Sequence, residues 1–175
     1  MEVPEIGVAP GFVLRPWRLD DVEVVREASR DPYIPLISSV PAEFTEAEAE
    51  AFLRRQWQRA EEGVGYSFAI AVAGHAVGQM GLWPGPHERA SVGYWIAPSA
   101  RGKGIVVAAL DALSRWGLTE LPVARLELQV EPWNIGSWKA AERAGYEREG
   151  LLRSWMEIGG ERKDMYMYSR LAQHP

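Results

Sequence analysis

A short segment rich in glycine and basic residues carries the clearest chemical signal in the chain. Arg101-Gly102-Lys103-Gly104 follows the apolar run at residues 92–97 and leads directly into a helical pattern that begins at Gly104. The free N–H groups and the positive dipole end of a helix N-terminus bind phosphate oxygens. Glycines let the backbone approach a ligand closely, and Arg101 and Lys103 add positive charge. The segment therefore predicts a site for a pyrophosphate group.

Two other phosphate-binding motifs do not fit this segment. The Walker A spacing G-x-x-x-x-G-K-[ST] is absent, and the residue three positions after Gly104 is Val107, which breaks G-x-G-x-x-G. A glycine-rich loop between a strand and a helix can also be no more than a turn. From these residues alone, a phosphate site and a plain turn are both open.

The elements that must position this segment are predicted from periodicity and turn residues. Apolar runs and alternation predict strands at 12–17, 66–73, 76–83, 92–97, 125–131, 146–157 and 162–171. Helical periodicity and capping residues predict helices from Asp20 or Asp21 to 29, from Thr45 to 63, at 104–118 and at 134–144. Pro16 suggests an edge position for the first strand, and three prolines between 31 and 41 predict a loop. This order predicts a mixed sheet with helices packed on it.

Length and composition narrow the class of protein. The 175 residues contain no repeat and no linker-like stretch, which predicts one domain over 1–175. The absence of cysteine excludes disulfides, thiolate metal sites and a cysteine nucleophile. The net charge of -5 disfavours a nucleic-acid partner, and no apolar stretch approaches the length of a membrane span. Because residues 1–12 lack a signal-peptide pattern, we expect a cytoplasmic protein.

Several motifs, in the right order along nearly the whole chain, resemble the GNAT superfamily of acetyltransferases. The family's phosphate loop is [QR]-x-x-G-x-[GA], and Ser99-Ala100-Arg101-Gly102-Lys103-Gly104 fits it except at Ser99. The other motifs resemble the branch that includes ribosomal-protein N-terminal acetyltransferases. They are Leu14-Arg15-Pro16-Trp17, Gly93-Tyr94-Trp95-Ile96, Asn134-Ile135-Gly136-Ser137, Ala144-Gly145-Tyr146, Glu149-Gly150-Leu151-Leu152-Arg153 and Asp164-Met165-Tyr166-Met167-Tyr168.

The resemblance implies both a fold and a donor site. The fold is α/β (α+β), with a mixed, mostly antiparallel central sheet, flanking helices, and fourth and fifth strands that splay into a V. The pantetheine arm of CoA would lie in the V, and the CoA diphosphate would bind the loop and the helix start. The residues that would contact acetyl-CoA, the implied acyl donor, are Trp95, Ile96, Ala97, Arg101, Gly102, Lys103, Gly104, Ile105, Val106, Asn134 and Ser137. No metal is implied.

Acetyl transfer to an amine needs a proton donor for the leaving thiolate. Many family members supply this proton from a Tyr seven residues after the Asn, a position that is Ala141 here. In the branch that this chain resembles, the Ser three residues after the Asn is the implied acid, which is Ser137. A hydroxyl in the first turn of a helix can also simply cap its own backbone, so both roles are open for Ser137.

The sequence assigns no general base. Ser91 stands where some relatives carry an acidic residue, and it cannot serve. Glu131 ends the fifth strand of the family fold, and Glu157 lies on the last hairpin. His75 and His87 fall in a turn and a loop, and we expect a solvated surface role for these four side chains. A water chain, or an amine that arrives neutral, would make a base unnecessary.

Four tryptophans are predicted to flank the cleft, at Trp83, Trp133, Trp138 and Trp155. Packing and an aromatic wall for the acceptor are both open for them. Asp164 and Tyr168 could likewise line the acceptor pocket or pair strands.

Together these features predict an acetyl-CoA-dependent N-acetyltransferase whose partners are a CoA thioester and an amine acceptor. The acceptor is a primary amine, either a protein N-terminus or a small molecule such as an antibiotic or polyamine. A donor with a longer acyl chain stays open, as does a homodimer. Two non-enzymatic alternatives remain: an acyl-CoA-binding module that has lost its chemistry, and a structural subunit that uses exposed tryptophans.

Overall fold

The computed structural model describes residues 1–172, so the last three residues of the predicted 1–175 domain lie outside the described part. Its strands are β1 (Ile6–Ala9), β2 (Phe12–Arg15), β3 (Tyr66–Val72), β4 (His75–Pro84), β5 (Arg89–Ile96), β6 (Arg125–Val130), β7 (Glu147–Ile158) and β8 (Glu161–Leu171). Its helices are α1 (Val22–Ser29), α2 (Ile34–Ile37), α3 (Glu46–Glu61), α4 (Ile105–Glu120) and α5 (Ile135–Arg143). Within residues 1–172, no helix is long and apolar enough to cross a bilayer.

The eight strands form one sheet in the order β1-β2-β3-β4-β5-β6-β8-β7. β2 pairs antiparallel with β1 and β3, and β8 pairs antiparallel with β6 and β7. β5 and β6 are parallel, with Arg89, Ala90 and Ser91 opposite Arg125, Leu126 and Glu127. A mixed, mostly antiparallel sheet with accompanying helices confirms the predicted fold class.

The chain divides into two compact units. The first contains Met1–Gly81 and Tyr94–Ile105, and the second contains Leu82–Gly93 and the chain from Val106 onward. β4 and β5 contribute residues to both units. One domain over the whole chain therefore stays a prediction.

The first unit is built around an aromatic cluster. Trp17, Phe52 and Trp95 are almost completely buried, and the ring of Trp17 meets that of Phe52 edge-on with centroids 5.3 Å apart. The centroid of Trp95 lies 6.4 Å from those of both other rings. Aromatic burial of this kind stabilises a core strongly, and here it anchors the end of β5 that leads into the glycine-rich segment.

The second unit packs α4 onto the sheet. Leu110 and Leu113 of α4 and Leu126 of β6 are fully buried. Gly117 allows the closest approach, because a Cβ there would lie 2.6 Å from a methyl group of Leu82. β6 alternates buried and half-buried residues along its length, as the sequence predicted. The register of this strand is thereby fixed by which face carries its leucines.

The first strand was predicted at a sheet edge, and that prediction is wrong. β2 lies between β1 and β3, and it ends at Arg15, one residue before Pro16. The missing N–H of the proline therefore costs no ladder hydrogen bond. β1, four residues long, was not predicted at all, since so short a run has little periodicity.

The predicted loop at 31–41 contains a helical turn, α2, with Pro35 in its first turn. Proline is tolerated there because its N–H would have no intrahelical partner. The Thr45 cap of α3 is confirmed, since its hydroxyl accepts from the Glu48 N–H at 3.1 Å. Asp21 precedes α1, but its carboxylate instead forms a bidentate pair with buried Arg15, at 2.8 Å for both bonds.

Candidate active site

The glycine-rich segment is a short loop between β5 and the 16-residue helix α4. Gly102 and Gly104 both adopt φ of +73°, a left-handed conformation that strongly favours glycine. A Cβ added at either position would meet no atom within 4 Å, so both Cα atoms face open space. At its two glycines the loop thus exposes backbone that no side chain covers, directly before a helix. This geometry suits a phosphate group.

Arg101 is held by contacts at two of its three guanidinium nitrogens. Nη2 donates to the Asp31 carboxylate at 2.8 Å, and Nε donates to the Ile96 carbonyl at 3.3 Å. The Arg101 side chain is still 47% exposed, whereas that of Asp31 is 7% exposed. The remaining terminal nitrogen, Nη1, takes part in neither contact. An oxyanion at the loop can therefore be bound by Nη1 without breaking the ion pair.

Ser99 is bound to α1. Its amide and hydroxyl donate to the two carboxylate oxygens of Glu27 at 2.7 and 2.9 Å. The family pattern [QR]-x-x-G-x-[GA] can also be aligned two residues later, with Arg101 first and Gly104 fourth. In this register the one departure is Val106, where the pattern has Gly or Ala. The contacts favour this second register, because Ser99 is committed to Glu27 while Arg101 keeps a free donor.

Lys103 forms a hydrogen bond within the loop. Its ammonium donates to the Ser99 carbonyl at 3.0 Å, and the side chain belongs to the exposed part of the loop. Ile105 and Val106, at the start of α4, are half-buried. The basic residues and both glycines of the loop are therefore accessible.

Backbone direction distinguishes the three predicted residues at the end of β5. The Ala97 N–H donates to the Val77 carbonyl of β4 at 2.9 Å. Gly78 of β4 lies so close to Trp95 that a Cβ on it would be 2.4 Å from the Trp95 carbonyl oxygen. Because successive residues of a strand point their N–H and C=O groups to opposite edges, Ile96 directs its backbone away from β4. Of the three, Ile96 is the residue suited to pair with an extended ligand.

A buried polar network holds Trp95 in place. The indole N–H of Trp95 donates to the Gln79 side-chain carbonyl at 2.7 Å. The Gln79 amide donates in turn to Ser67 at 2.8 Å and to Gln56 at 2.9 Å. All four side chains are buried, so the network specifies one arrangement of the core beneath this end of β5. Apart from Trp95, no sequence pattern pointed to these residues, since they come from separate elements.

In the second unit, Asn134 and Ser137 lie together at the start of α5. Asn134 is the N-cap residue, and its side-chain carbonyl accepts from the Ser137 N–H at 3.3 Å. Both residues are half-buried. Ala141, where many family members carry a Tyr, is fully buried in the same helix. The cap uses the Asn134 oxygen and leaves its amide N–H groups as donors.

The base candidates fall into two groups. Glu131 is 5% exposed, so the solvated surface role expected for it is wrong; it begins the turn before α5, where its carbonyl accepts from the Asn134 N–H at 2.9 Å. Glu157, His75 and His87 are exposed, as expected for surface side chains. Within residues 1–172, no group of three or more metal-ligating side chains is present.

The four tryptophans belong to the second unit, but they differ in exposure. Trp133 is 60% and Trp155 50% exposed, whereas Trp83 and Trp138 are half-buried. Asp164 accepts from the Ser154 N–H at 2.7 Å and so stabilises a bulge in β7. Tyr168 is fully buried, donating to Glu142 at 2.9 Å and accepting from Arg148 at 2.7 Å. The structure thus gives Asp164 and Tyr168 roles in the β7–β8 hairpin.

Known proteins resemble this chain over nearly its whole length. N-acetyltransferase p20 of Bacillus licheniformis is 29% identical over 164 residues, which cover 91% of this chain and 92% of that protein. The structure of Mycobacterium smegmatis RimJ in complex with CoA-disulfide matches with a TM-score of 0.82 at 26% identity, covering 97% of this chain and 87% of RimJ.

A Salmonella typhimurium acetyltransferase that modifies the N-terminal serine of ribosomal protein L7/L12 has the same fold, with a TM-score of 0.82 at 20% identity and coverage of 97% and 100%. These similarities confirm the predicted resemblance to the ribosomal-protein branch. The family model of the GNAT acetyltransferase domain matches residues 12–147. The chain therefore belongs to the GNAT family of acetyltransferases, which confirms the predicted N-acetyltransferase class and acetyl-CoA as its acyl donor.

Proposed function

We propose that this protein acetylates the α-amino group of a protein N-terminus. The proposal is supported by the whole-length similarity to RimJ and to the Salmonella typhimurium enzyme, the second of which modifies the N-terminal serine of ribosomal protein L7/L12. The observation that best supports binding of acetyl-CoA is the pair of glycines with left-handed φ in the accessible loop before α4. Small amines are the competing acceptors, and the experiment below separates the two classes.

The donor is held through its diphosphate and its pantetheine arm. The diphosphate binds the loop and helix start from Arg101 to Val106, through backbone N–H groups, the Arg101 Nη1 group and the charge of Lys103. The arm runs beside Trp95, Ile96 and Ala97. Ile96 supplies the backbone pairing, because its backbone groups are directed away from β4.

The family resemblance assigns Asn134 to the pantetheine arm, and its amide N–H groups can serve as donors because its side-chain oxygen caps α5. Ser137 acts as the acid. The neutral amine attacks the thioester carbonyl, the C–N bond forms and the C–S bond breaks. The departing thiolate takes a proton from the Ser137 hydroxyl, which is restored by the proton released from the amine through water. Such acid catalysis typically contributes about 100- to 10,000-fold in rate.

The donor also bears on the location and the partners that we propose for the protein. Acetyl-CoA is a cytoplasmic metabolite, which supports a cytoplasmic location. The net charge of -5 disfavours a nucleic-acid partner. A homodimer is compatible with the proposal and is not required by it.

The acceptor is tested by measuring free-thiol release from acetyl-CoA with a panel of amines. Ribosomal-protein N-terminal peptides with a free α-amine should support turnover, and the same peptides with a blocked α-amine should not. Spermidine and aminoglycosides represent the small amines. Turnover with small amines alone would overturn the acceptor assignment, and CoA binding without any turnover would identify a binding module instead.

A further inference from the structure

Two carboxylates contact the loop that we propose for the CoA diphosphate, although a diphosphate is itself anionic. Glu27, near the end of α1, binds Ser99. Asp31, just beyond α1, binds Arg101 at 2.8 Å. Negative charge beside an anion site normally weakens binding by repulsion. The contacts of Asp31 suggest a role that would offset this repulsion, namely holding Arg101 in place.

Asp31 is fully committed to its neighbours. One carboxylate oxygen accepts from the N–H groups of Tyr33 and Ile34 at 2.8 and 2.9 Å, and the other accepts from Arg101. Burial by itself would raise the pKa of the Asp31 carboxyl, but the hydrogen bonds from Ile34, Tyr33 and Arg101 together lower the pKa below its ordinary value. Asp31 is therefore a charged, immobile anchor at neutral pH.

This anchor acts on one part of the guanidinium only. Asp31 holds Nη2 and the Ile96 carbonyl accepts from Nε, which fixes the plane of the Arg101 side chain. An arginine already held in its binding rotamer loses less side-chain entropy when a ligand arrives. The third nitrogen, Nη1, is then presented to a phosphate oxygen in a set direction.

We propose that Asp31 is a positioning residue of the CoA diphosphate site, acting through Arg101. The inference rests on the proposed function, because it assumes that the diphosphate binds the loop at Arg101. It goes beyond that function by assigning a residue about 70 positions away in sequence, one that no phosphate-loop motif contains. At high ionic strength its repulsion of the ligand is screened, whereas its positioning effect persists.

The test is calorimetric titration with CoA at about 0.5 M KCl, where the interaction of exposed charges more than about 4 Å apart is largely screened. Asp31→Asn keeps an oxygen for the Tyr33 and Ile34 N–H groups but removes the ion pair. We expect its CoA dissociation constant to rise about threefold to tenfold, the effect of freeing one long side chain. Glu50→Gln, which removes one charge from an α3 pair, is the control and should match the wild type. Melting temperatures establish that each variant is folded.

A double-mutant cycle isolates the path of the effect. In the Arg101→Ala background, Asp31→Asn should cause no further loss, because Asp31 would have nothing left to position. An unchanged or tighter dissociation constant for Asp31→Asn overturns the inference, as does an equal loss in both backgrounds. If Arg101→Ala weakens CoA binding while Asp31→Asn does not, only the role of Asp31 is wrong. If Arg101→Ala has no effect, or the wild type does not bind CoA, the proposed donor site is itself wrong.

Discussion

At the scale of single residues, the clearest question is whether the Ser137 hydroxyl acts as a catalytic acid or as a helix cap. The cap of α5 is made by Asn134, and Ser137 contributes only its backbone N–H to that contact. The side-chain oxygen that caps the start of α5 is therefore that of Asn134 and not that of Ser137. We propose the Ser137 hydroxyl as the acid that protonates the leaving thiolate because the family resemblance assigns that role to this position.

Ser137→Ala removes the hydroxyl and changes little else. If Ser137 is the acid, kcat should fall about 100- to 10,000-fold while CoA affinity stays near that of the wild type. Asn134→Ala is the matched variant, because it removes the cap and should cost about 1 kcal/mol of stability. Measuring kcat and the melting temperature on both variants decides the matter. Near-normal turnover of Ser137→Ala would mean that the proton comes from elsewhere.

Single residues of the proposed donor site could be predicted from the sequence only where they are neighbours along the chain. The glycines and basic residues of the loop are adjacent, so their spacing carried the signal. Glu27 and Asp31 contact the loop from 72 and 70 residues away. Nothing in the local pattern of α1 distinguishes these two carboxylates from ordinary solvated charges, so they emerged only from the folded contacts.

At the scale of elements, strong periodicity was decisive and weak periodicity was not. The amphipathic α3 and the alternating β6 match their predicted positions within a few residues. β1 and α2 contain four residues each, which is too short for a repeat to show. Pro16 was assigned to a strand edge because its exact register was unknown, and one residue decides whether a proline removes a ladder bond.

The β7 strand is linked to β6 by a charged pair that makes a testable pH prediction. Arg125 forms two hydrogen bonds with Glu149, at 2.8 and 2.6 Å. These bonds, and one from Ser169, lower the pKa of Glu149 from 4.5 to about 2. Because the folded-state pKa is depressed, the pair stabilises the protein above about pH 4.5 and loses that effect as the pH falls toward about 2.

Glu149→Gln should therefore destabilise the protein at neutral pH and matter progressively less in acid. The Glu149 side chain is 43% exposed, so solvent screening limits the loss to less than about 1 kcal/mol. Denaturant unfolding at a series of pH values between 7 and 3 measures the difference from the wild type. Glu147→Gln on the same strand is the control for net charge. A difference that stays constant down to pH 3 would rule out this origin.

At the scale of the whole molecule, the family assignment and the geometry of the loop both point to one property, which is binding of a CoA thioester. Membership of the GNAT family rests on residues 12–147, which include the loop and both α4 and α5. The roles proposed for the acceptor, for Ser137 and for Asp31 all assume that CoA binds at this loop. The central claim is thus the donor site at Arg101 to Val106.

The most direct measurement is calorimetric titration of CoA into Gly104→Val and into a matched control, Gly63→Val. Both glycines have nearly the same φ, +73° and +71°, and open space around the Cα atom, so both variants carry the same backbone strain. Only Gly104 lies in the loop, where a branched side chain would keep the diphosphate away from the backbone. We predict that CoA affinity falls by well over tenfold in Gly104→Val and stays near the wild-type value in Gly63→Val. Undiminished affinity in Gly104→Val, with the protein folded, would contradict the donor site.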